Sequence, residues 1–224
     1  MAKTSQRKRA DLLLVDRGLV ESREQAQTLI AEGLVFSRGG RVLKASSILP
    51  DTDPLEVRGN LPYVSRGGLK LDHALDTFNL AVDGFTVLDV GASTGGFTDC
   101  MLQRGAERVY ALDVGHGQLA YKLRKDPRVV VIEKLNARNP FELPELVDLI
   151  TIDVSFISLT MVIPSALEHI KEASYVAALV KPQFEALREE VGKGGVIKDP
   201  KIHGAVLSRI ITVSYTHLTL PTKA

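Results

Sequence analysis

The sequence predicts an α/β protein, in which a Rossmann-like, doubly wound and mostly parallel sheet follows a small α+β domain. Two observations support this prediction. From residue 86 onward, short apolar runs alternate with helical patterns, and a Gly/Ser/Thr-rich turn follows the first run. Before residue 60, two short helical patterns are followed by short strands with turn residues between them.

The first 60 residues carry the pattern of two helices and several strands. Residues 9–20 place Leu12, Leu13, Val15 and Leu19 largely on one helical face, and Gly18 ends that helix. Ser22 is then an N-cap and Gln25 completes a capping box, which begins a second helix that runs to Gly33. Apolar residues at 34–36, 42 and 55–57, with a turn at 38–40, predict short strands.

The predicted sheet is built from five apolar runs, at 86–90, 109–113, 129–132, 149–154 and 175–180. Parallel strands covered on both faces have this uninterrupted apolar composition, and ligands bind at their carboxyl ends. A helix at 67–79 precedes the first run, with Leu71, Ala74, Leu75 and Phe78 on one face. We therefore expect a domain at 1–60, a linker with the pre-sheet helix at 61–82, and a sheet domain at 83–212.

Composition places the chain among ordinary globular proteins. Of 224 residues, 45% are hydrophobic and 25% are charged, and the net charge is +1. The single cysteine, Cys100, excludes an intramolecular disulfide, and the basic N-terminus lacks the apolar core of a secretory signal, so we expect a cytoplasmic protein. Asp148, Asp153 and Pro164 interrupt the longest apolar stretch, which argues against a membrane span. The oligomeric state is left open.

Positive charge is concentrated at the start of the chain, where residues 1–44 carry nine Lys/Arg and five Asp/Glu. A local basic face can bind phosphates even in a neutral protein, because screening confines the relevant field to about 10 Å. The candidate RNA-binding residues are Lys8, Arg9, Arg17, Arg23, Arg38 and Arg66. The alternative is a solvated helix face.

The sharpest motif is VLDVGASTGGF at 87–97, an apolar strand followed by a glycine-rich turn into a helix. Glycines let a backbone approach a ligand, and the helix N-terminus offers free amides. The spacing fits neither the dinucleotide motif of dehydrogenases nor a phosphate-binding loop, and it resembles motif I of S-adenosylmethionine methyltransferases. The candidate cofactor-binding residues are Asp89, Gly91, Ser93, Thr94, Gly95, Gly96, Phe97, Asp113 and Asp153. The alternative is a glycine turn without a ligand.

Three further polar residues stand at the expected site edge: Lys70 on the pre-sheet helix, Asp153 after the fourth strand and Lys181 after the fifth. Because strand ends converge in space, the two lysines can pair with Asp153 beside the cofactor. Taken singly, each lysine is equally consistent with a solvated side chain, and Asp153 with a helix cap. The five histidines show no metal-ligand spacing, so no metal is expected.

Several motifs together resemble a known family. SREQAQTLIAEGLV resembles the RNA-binding domain of the ribosomal protein S-four superfamily. The ordered motifs YVSRGGLKLDHAL, VLDVGASTGGFTDC, ALDVGHGQL, TIDVSFISL and LVKPQFE resemble the TlyA (haemolysin A) family, over roughly residues 7–212. The resemblance implies a class I, FtsJ-like methyltransferase that transfers a methyl group from S-adenosylmethionine to ribose 2′-hydroxyls of ribosomal RNA, at cytidines of both subunits.

The resemblance also implies a Lys-Asp-Lys-Glu tetrad, whose first three members match Lys70, Asp153 and Lys181. The glutamate has no counterpart that we can identify. If burial and a nearby Lys70 leave Lys181 partly neutral, it can steer or deprotonate the hydroxyl while Asp153 orients it. Two other functions stay open: a membrane-active haemolysin, and an RNA-binding protein whose methyltransferase domain is inactive.

The last residues, 213–224, read VSYTHLTLPTKA and show neither helical nor core-strand periodicity. They resemble a translated adapter sequence, so we expect a non-native tail that replaces the end of an incomplete methyltransferase domain. Divergence within the family is the alternative.

Overall fold

The computed structural model describes residues 6–59, 62–192 and 194–219. The chain forms two compact units, Met1–Ala74 and Leu75–Ala224, and the division falls inside helix α3 (Gly67–Thr77).

The first unit is a small α+β unit with two antiparallel sheets. Strand β1 (Arg7–Arg9) pairs with β4 (Ile48–Pro50), while β2 (Val35–Ser37) lies between β3 (Gly40–Arg41) and β5 (Leu55–Val57). The two predicted helices are confirmed as α1 (Ala10–Asp16) and α2 (Arg23–Ala31). Helix α1 is shorter than predicted, because Arg9 is the last residue of a strand and the helix ends before Gly18, whose φ is +66°.

Helix α2 begins as the capping pattern predicted. The Ser22 hydroxyl accepts the Gln25 N–H at 3.1 Å, and the Gln25 side chain accepts the Glu21 N–H at 2.8 Å, one residue before the N-cap. The helices then bury one apolar face each against the strands, in a core that includes Leu13, Leu14, Leu29, Ile30 and Val35. The predicted face of α2 is confirmed, whereas that of α1 is wrong in part, because Leu12 and Leu19 are exposed and Leu14 is buried.

The second unit contains a parallel five-stranded sheet, as predicted. Its strands are β6 (Thr86–Val90), β7 (Arg108–Asp113), β8 (Val129–Glu133), β9 (Val147–Ile152) and β10 (Ile170–Ala178), in the order β10-β9-β6-β7-β8. The last strand begins five residues earlier than predicted and contains an irregularity between Ile170 and Tyr175. The central strand β6 is buried at all five positions.

Helices cover both faces of this sheet. Helix α6 (Leu159–Leu167) and Ile210 of α8 (Pro200–Thr219) pack on the face that contains Leu88 and Ile150. Alternate residues point to the other face, where Asp89 contacts helix α4 (Gly96–Gln103). Two one-turn helices, α5 (Tyr121–Arg124) and α7 (Pro182–Glu185), follow β7 and β10. All carboxyl ends of the strands therefore lie at one edge.

The expectation that residues after 213 lack helical structure is wrong as far as residue 219, since α8 continues to Thr219. The Ser214 and Thr216 hydroxyls donate to the carbonyls of Ile210 and Thr212 at 2.9 and 2.8 Å. These contacts let hydroxyl residues sit in a helix although their apolar pattern is weak. In the described ranges, no helix is both long and apolar enough to span a membrane.

Asp11, whose side chain is fully buried, is bonded to several side chains of the first unit. It accepts hydrogen bonds from Arg9 at 2.9 and 2.8 Å, from Arg23 at 2.9 Å and from Gln27 at 3.0 Å. The Arg9 guanidinium, helped by Gln27 and Arg23, holds the pKa of this carboxyl well below its usual range, although burial opposes the shift. The β1–α1 junction and α2 are thereby joined through one carboxylate.

We expect Arg9→Ala to destabilise the first unit by about 1–3 kcal/mol, because it leaves a buried carboxylate with fewer donors. Urea unfolding followed by circular dichroism measures the change. The matched control is Arg7→Ala, which removes an exposed cation from the same strand. Equal unfolding midpoints for Arg9→Ala and Arg7→Ala would show that the Asp11 contacts contribute nothing.

Candidate functional site

The glycine-rich loop that follows β6 is held to the end of β7 by backbone contacts. The amides of Gly91 and Ala92 both donate to the Leu112 carbonyl, at 2.8 and 3.1 Å. The two carboxylate oxygens of Asp113 accept the N–H groups of Ser93 and Gly115, at 2.8 and 2.7 Å. A carboxylate has about four acceptor sites, so Asp113 keeps capacity for the hydroxyls of a bound ribose.

Gly91 is required for the loop to pass the end of β9. Its φ is +84°, and a Cβ at this position would lie 2.9 Å from the Asp153 carbonyl oxygen. The residue therefore brings the loop against the backbone of Asp153, which is one of the predicted catalytic residues. The obstacle to a side chain here is the protein itself, in addition to any ligand.

Gly95, Gly96 and Phe97 are buried at the start of α4, and their predicted role in cofactor binding stays a prediction. Gly95 is the N-cap with φ of +95°, and a Cβ there would clash with Leu123 and lie 2.8 Å from Leu119. Its missing side chain makes room for helix α5. Gly91, Ser93 and Thr94 remain accessible at the edge of the sheet.

Asp89 is also buried, and its predicted role in cofactor binding stays a prediction. Its carboxylate accepts the hydroxyls of Thr98 at 2.6 Å and Thr151 at 2.9 Å. Burial raises the pKa of Asp89 to about 6, despite these two hydrogen bonds. The side chain thereby joins β6, β9 and α4 from beneath the loop.

Asp153 and Lys181 meet at the carboxyl edge of the sheet, as the sequence predicted. The Lys181 Nζ lies 2.5 Å from Asp153 Oδ1, and it donates to the Ser155 hydroxyl at 2.9 Å. Both side chains are 19% exposed, so the pair is shielded but reachable. Lys70 is exposed on α3. It belongs to the first unit, and its catalytic role stays a prediction.

Sequence reasoning missed Phe156, which lies in the segment 153–158 that follows β9; we call these residues the catalytic segment. Phe156 is 90% exposed, and its φ of +64° is rare for a bulky residue. Its ring contacts Phe184 with centroids 5.0 Å apart. An exposed aromatic ring held in a strained conformation beside polar site residues is typical of a functional position. The pattern of apolar and polar residues in the sequence does not indicate that Phe156 is exposed and strained.

The six predicted RNA-binding cations all have partners inside the first unit. Lys8 pairs with Asp16, Arg38 with Asp53 and Arg66 with Glu32, while Arg17 donates to the carbonyls of residues 51 and 53. Arg9 and Arg23 share Asp11. These contacts fix the cations in place and leave their exposed sides available, so RNA binding by them stays a prediction. Exposed Arg41 and Arg58, which the sequence analysis did not select, flank the Phe36 ring at 5.9 and 4.2 Å.

Two comparisons with known proteins define the family. The FtsJ-like methyltransferase family model matches residues 63–219. The chain belongs to the FtsJ-like methyltransferase family. It is 50% identical over 215 residues to "Putative rRNA methyltransferase YqxC" of Bacillus subtilis (strain 168), covering 94% of this chain and 76% of the relative. It is 47% identical over 202 residues to "16S/23S rRNA (cytidine-2'-O)-methyltransferase TlyA" of Mycobacterium tuberculosis (strain ATCC 25618 / H37Rv), covering 88% and 75%.

A solved structure, "Putative hemolysin from Streptococcus thermophilus", has the same fold and is 43% identical. Its TM-score is 0.71, and the match covers 96% of this chain and 80% of that chain. The predicted family resemblance and the Rossmann-like methyltransferase fold are thus confirmed.

The methyl donor of this FtsJ-like methyltransferase is S-adenosylmethionine, and the loop residues fit it. Gly91 has no side chain and Ser93 has a small one, so a ligand can approach the loop closely. Asp113 can accept hydrogen bonds from hydroxyl groups of that ligand. Asp153, whose backbone lies against the loop, would supply a carboxylate to the positively charged cofactor. Among the described residues, no group of three His, Cys, Asp or Glu is arranged to hold a metal ion.

We expect Gly91→Ala to weaken S-adenosylmethionine binding by roughly 10-fold or more, equivalent to about 1.4 kcal/mol, because the loop must move away from Asp153. Titration calorimetry measures the affinity. The control is Gly84→Ala, which has a similar φ of +72° and nothing within 4 Å of its Cβ. Both substitutions place an alanine at a similar positive φ, so they differ in the contact with Asp153. Equal affinities for S-adenosylmethionine in the two variants would show that this contact does not affect binding.

The contribution of Asp89 to the stability of the protein is expected to fall as the pH rises from about 4 to 6. The carboxyl ionises near its ordinary pKa of 3.8 in the unfolded chain but near 6 in the folded one, so ionisation favours unfolding in that window. Asp89→Asn removes this contribution, and denaturation at several pH values measures the difference from the parent.

Asp126→Asn is the control of opposite sign, because Arg128 lowers the pKa of Asp126 and its contribution is lost as the pH falls. If Asp89→Asn shows the same pH slope as the parent, the buried carboxyl does not carry the perturbed pKa.

Proposed function

We propose that this protein methylates the ribose 2′-hydroxyl of cytidines in ribosomal RNA. The observation that carries the proposal is the Lys181–Asp153 ion pair beside the glycine-rich loop, at the carboxyl ends of adjacent strands β9 and β10. A relative that is 47% identical is named a 16S/23S rRNA (cytidine-2'-O)-methyltransferase, which supports the same substrate here.

The chemistry needs a nucleophilic oxygen, a leaving group and a way to remove one proton. S-adenosylmethionine, when bound, supplies a methyl group on a positively charged sulfur. The ribose oxygen forms a bond to that methyl carbon as the carbon–sulfur bond breaks, and the hydroxyl proton is released to a base or to water. The protein has to hold the oxygen in line with the methyl carbon and stabilise its developing negative charge.

Lys181 is placed to stabilise that charge. Its Nζ contacts Asp153 Oδ1, the Asp153 carbonyl oxygen and the Ser155 hydroxyl, and the possibility that Lys181 takes the hydroxyl proton stays a prediction. The Lys181 Nζ can donate a hydrogen bond to the ribose oxygen as that oxygen loses its proton. We therefore assign Lys181 to orienting the hydroxyl and stabilising the alkoxide character of the transition state, with Asp153 orienting Lys181.

Phe156 supports binding of an unpaired nucleoside. RNA is recognised mainly through unstacked bases, which bind on exposed aromatic rings. Phe156 presents such a ring three residues after Asp153, and Phe184 supports it from one side. The base of the target cytidine stacked on Phe156 would bring its ribose toward Lys181.

The first unit supports binding of ribosomal RNA or whole subunits in the cytoplasm. Its sequence resembles the S-four type of RNA-binding domain, and its exposed cations are held at fixed positions by carboxylates and carbonyls. Cations that are already ordered lose little conformational entropy when they bind phosphates. These contacts would position the RNA, while the second unit would select the nucleotide.

The test is transfer of labelled methyl groups from S-adenosylmethionine to ribosomal RNA and to isolated subunits. We expect Lys181→Met to lower the rate constant by roughly 100-fold or more, with cofactor affinity retained, because a group acting on the transferring centre is lost. Lys171→Met is the matched control, since Lys171 forms a similar lysine–aspartate pair with Asp148 at 2.8 Å, on β10.

A Lys181→Met variant that methylates RNA as fast as the Lys171→Met control would contradict the assigned site. A parent protein that binds cofactor and RNA but transfers no methyl group would favour the alternative of an RNA-binding protein with an inactive methyltransferase domain.

A further inference from the structure

Helix α7 contacts the catalytic segment through two of its residues and the residue before it. Lys181, the N-cap of α7, reaches Asp153 and Ser155. Phe184 contacts Phe156, and Glu185 contacts the end of the segment. One turn of chain, residues 181–185, thus faces the whole length of the segment.

Glu185 makes the most buried of these contacts, with only 1% of its side chain exposed. One carboxylate oxygen accepts the Ser158 hydroxyl at 2.6 Å, and the other accepts the backbone N–H of Leu159 at 2.7 Å. Ser158 is the N-cap of α6 and Leu159 is its first residue. A carboxylate at this helix N-terminus is stabilised by the free amides and by the helix dipole, so the contact has a defined geometry.

The backbone of Glu185 is fixed from a second direction. Its carbonyl accepts a hydrogen bond from the Arg209 guanidinium on α8, a helix that also packs against α6. Glu185 therefore joins α6, α7 and α8 at one point. A four-residue helix is not stable alone, so α7 depends on such contacts for its conformation.

Lys181 and Glu185 are coupled through that short helix. Phe184 N–H donates to the Lys181 carbonyl at 2.9 Å, and Ala186 N–H donates to the Pro182 carbonyl at 2.9 Å. Pro182 fixes φ at the first position of the turn. When Glu185 is anchored, the Lys181 backbone and the Phe184 ring have set positions relative to the catalytic segment.

We propose that Glu185 is a positioning residue for methyl transfer, which holds Lys181 and Phe156 in register with Asp153. The proposal rests on the proposed function of the Lys181–Asp153 pair. Glu185 is too buried to touch substrate, so it acts through α7 and the catalytic segment. A displacement of about 1 Å at the reacting groups can cost roughly 100-fold in rate, which makes such an anchor kinetically visible.

The experiment compares Glu185→Ala, Glu185→Gln and Ser158→Ala in the full chain, with Glu189→Gln as a control at an exposed carboxylate on the neighbouring turn. We expect Glu185→Ala to lower kcat on ribosomal RNA by roughly 10- to 100-fold, with the cofactor Kd and the KM for RNA within about twofold of the parent. Glu185→Gln should recover most of the rate, because its amide oxygen can accept the Leu159 N–H and its amide nitrogen can donate to the Ser158 oxygen.

A second readout does not depend on activity. The chain contains no tryptophan, so Phe156→Trp introduces a single fluorescent reporter into the catalytic segment. Adding Glu185→Ala to that reporter should lower the limiting fluorescence anisotropy, whereas adding Glu189→Gln should leave it unchanged. If the parent transfers no methyl group to RNA, the proposed function fails, and the anisotropy still decides the role of Glu185.

If Glu185→Ala does not fold, Ser158→Ala decides, since it removes one of the two anchoring contacts and should lower kcat in the same direction by a smaller factor. The proposal is overturned if the folded variants keep the parental kcat and anisotropy. It is also overturned if Glu185→Gln is as slow as Glu185→Ala, because the negative charge would then matter instead of the position.

Discussion

The site depends on the close approach of the glycine-rich loop to the end of strand β9. At Gly91 the backbone adopts a positive φ and passes so near the Asp153 carbonyl that no side chain fits between them. The same loop is bonded to Leu112 and Asp113 at the end of β7. Three neighbouring strands thereby end in one rigid arrangement, in which cofactor-binding groups and the Lys181–Asp153 pair have a common frame.

This arrangement is supported by Asp89, an ionisable side chain at a buried position where an apolar side chain would cost less free energy. Asp89 is buried between two threonine hydroxyls, and its raised pKa reflects the free energy needed to keep it there. In return, a single side chain links the central strand to its neighbour β9 and to helix α4. Fully bonded buried polar groups define one packing arrangement more strictly than apolar groups do. We infer that Asp89 helps to set the geometry of the loop.

Much of the fold could be predicted, because strands and helix starts are encoded by patterns within short segments of the sequence. Apolar runs gave all five parallel strands, and the Ser22 and Gln25 pattern gave the start of α2. The approach of Asp153 to Lys181 also followed, since residues at the carboxyl ends of adjacent parallel strands must be close. Family motifs supplied the chemistry that periodicity alone does not contain.

What the sequence did not predict has a different physical cause, namely contacts between residues far apart in sequence. A glycine pattern does not tell whether its space is filled by a ligand or by another helix, as Leu119 and Leu123 fill it at Gly95. The presence of an arginine in the sequence does not reveal its ion-pair partner. Arg9 and Arg23 both pair with Asp11, so they are structural residues as well as candidate RNA ligands. The left-handed conformation of Phe156 likewise depends on neighbours that only the folded chain assembles.

The central claim is that the Lys181–Asp153 pair directs a methyl group to a ribose oxygen. It is tested most directly by reacting ribosomal RNA with S-adenosylmethionine carrying a deuterated methyl group, digesting the RNA to nucleosides and identifying the labelled product by mass spectrometry. The account predicts that the label appears in 2′-O-methylcytidine. Label in a base-methylated nucleoside would contradict it, because the site would then act on a carbon or nitrogen of the base and the assigned role of Lys181 toward a hydroxyl would be wrong.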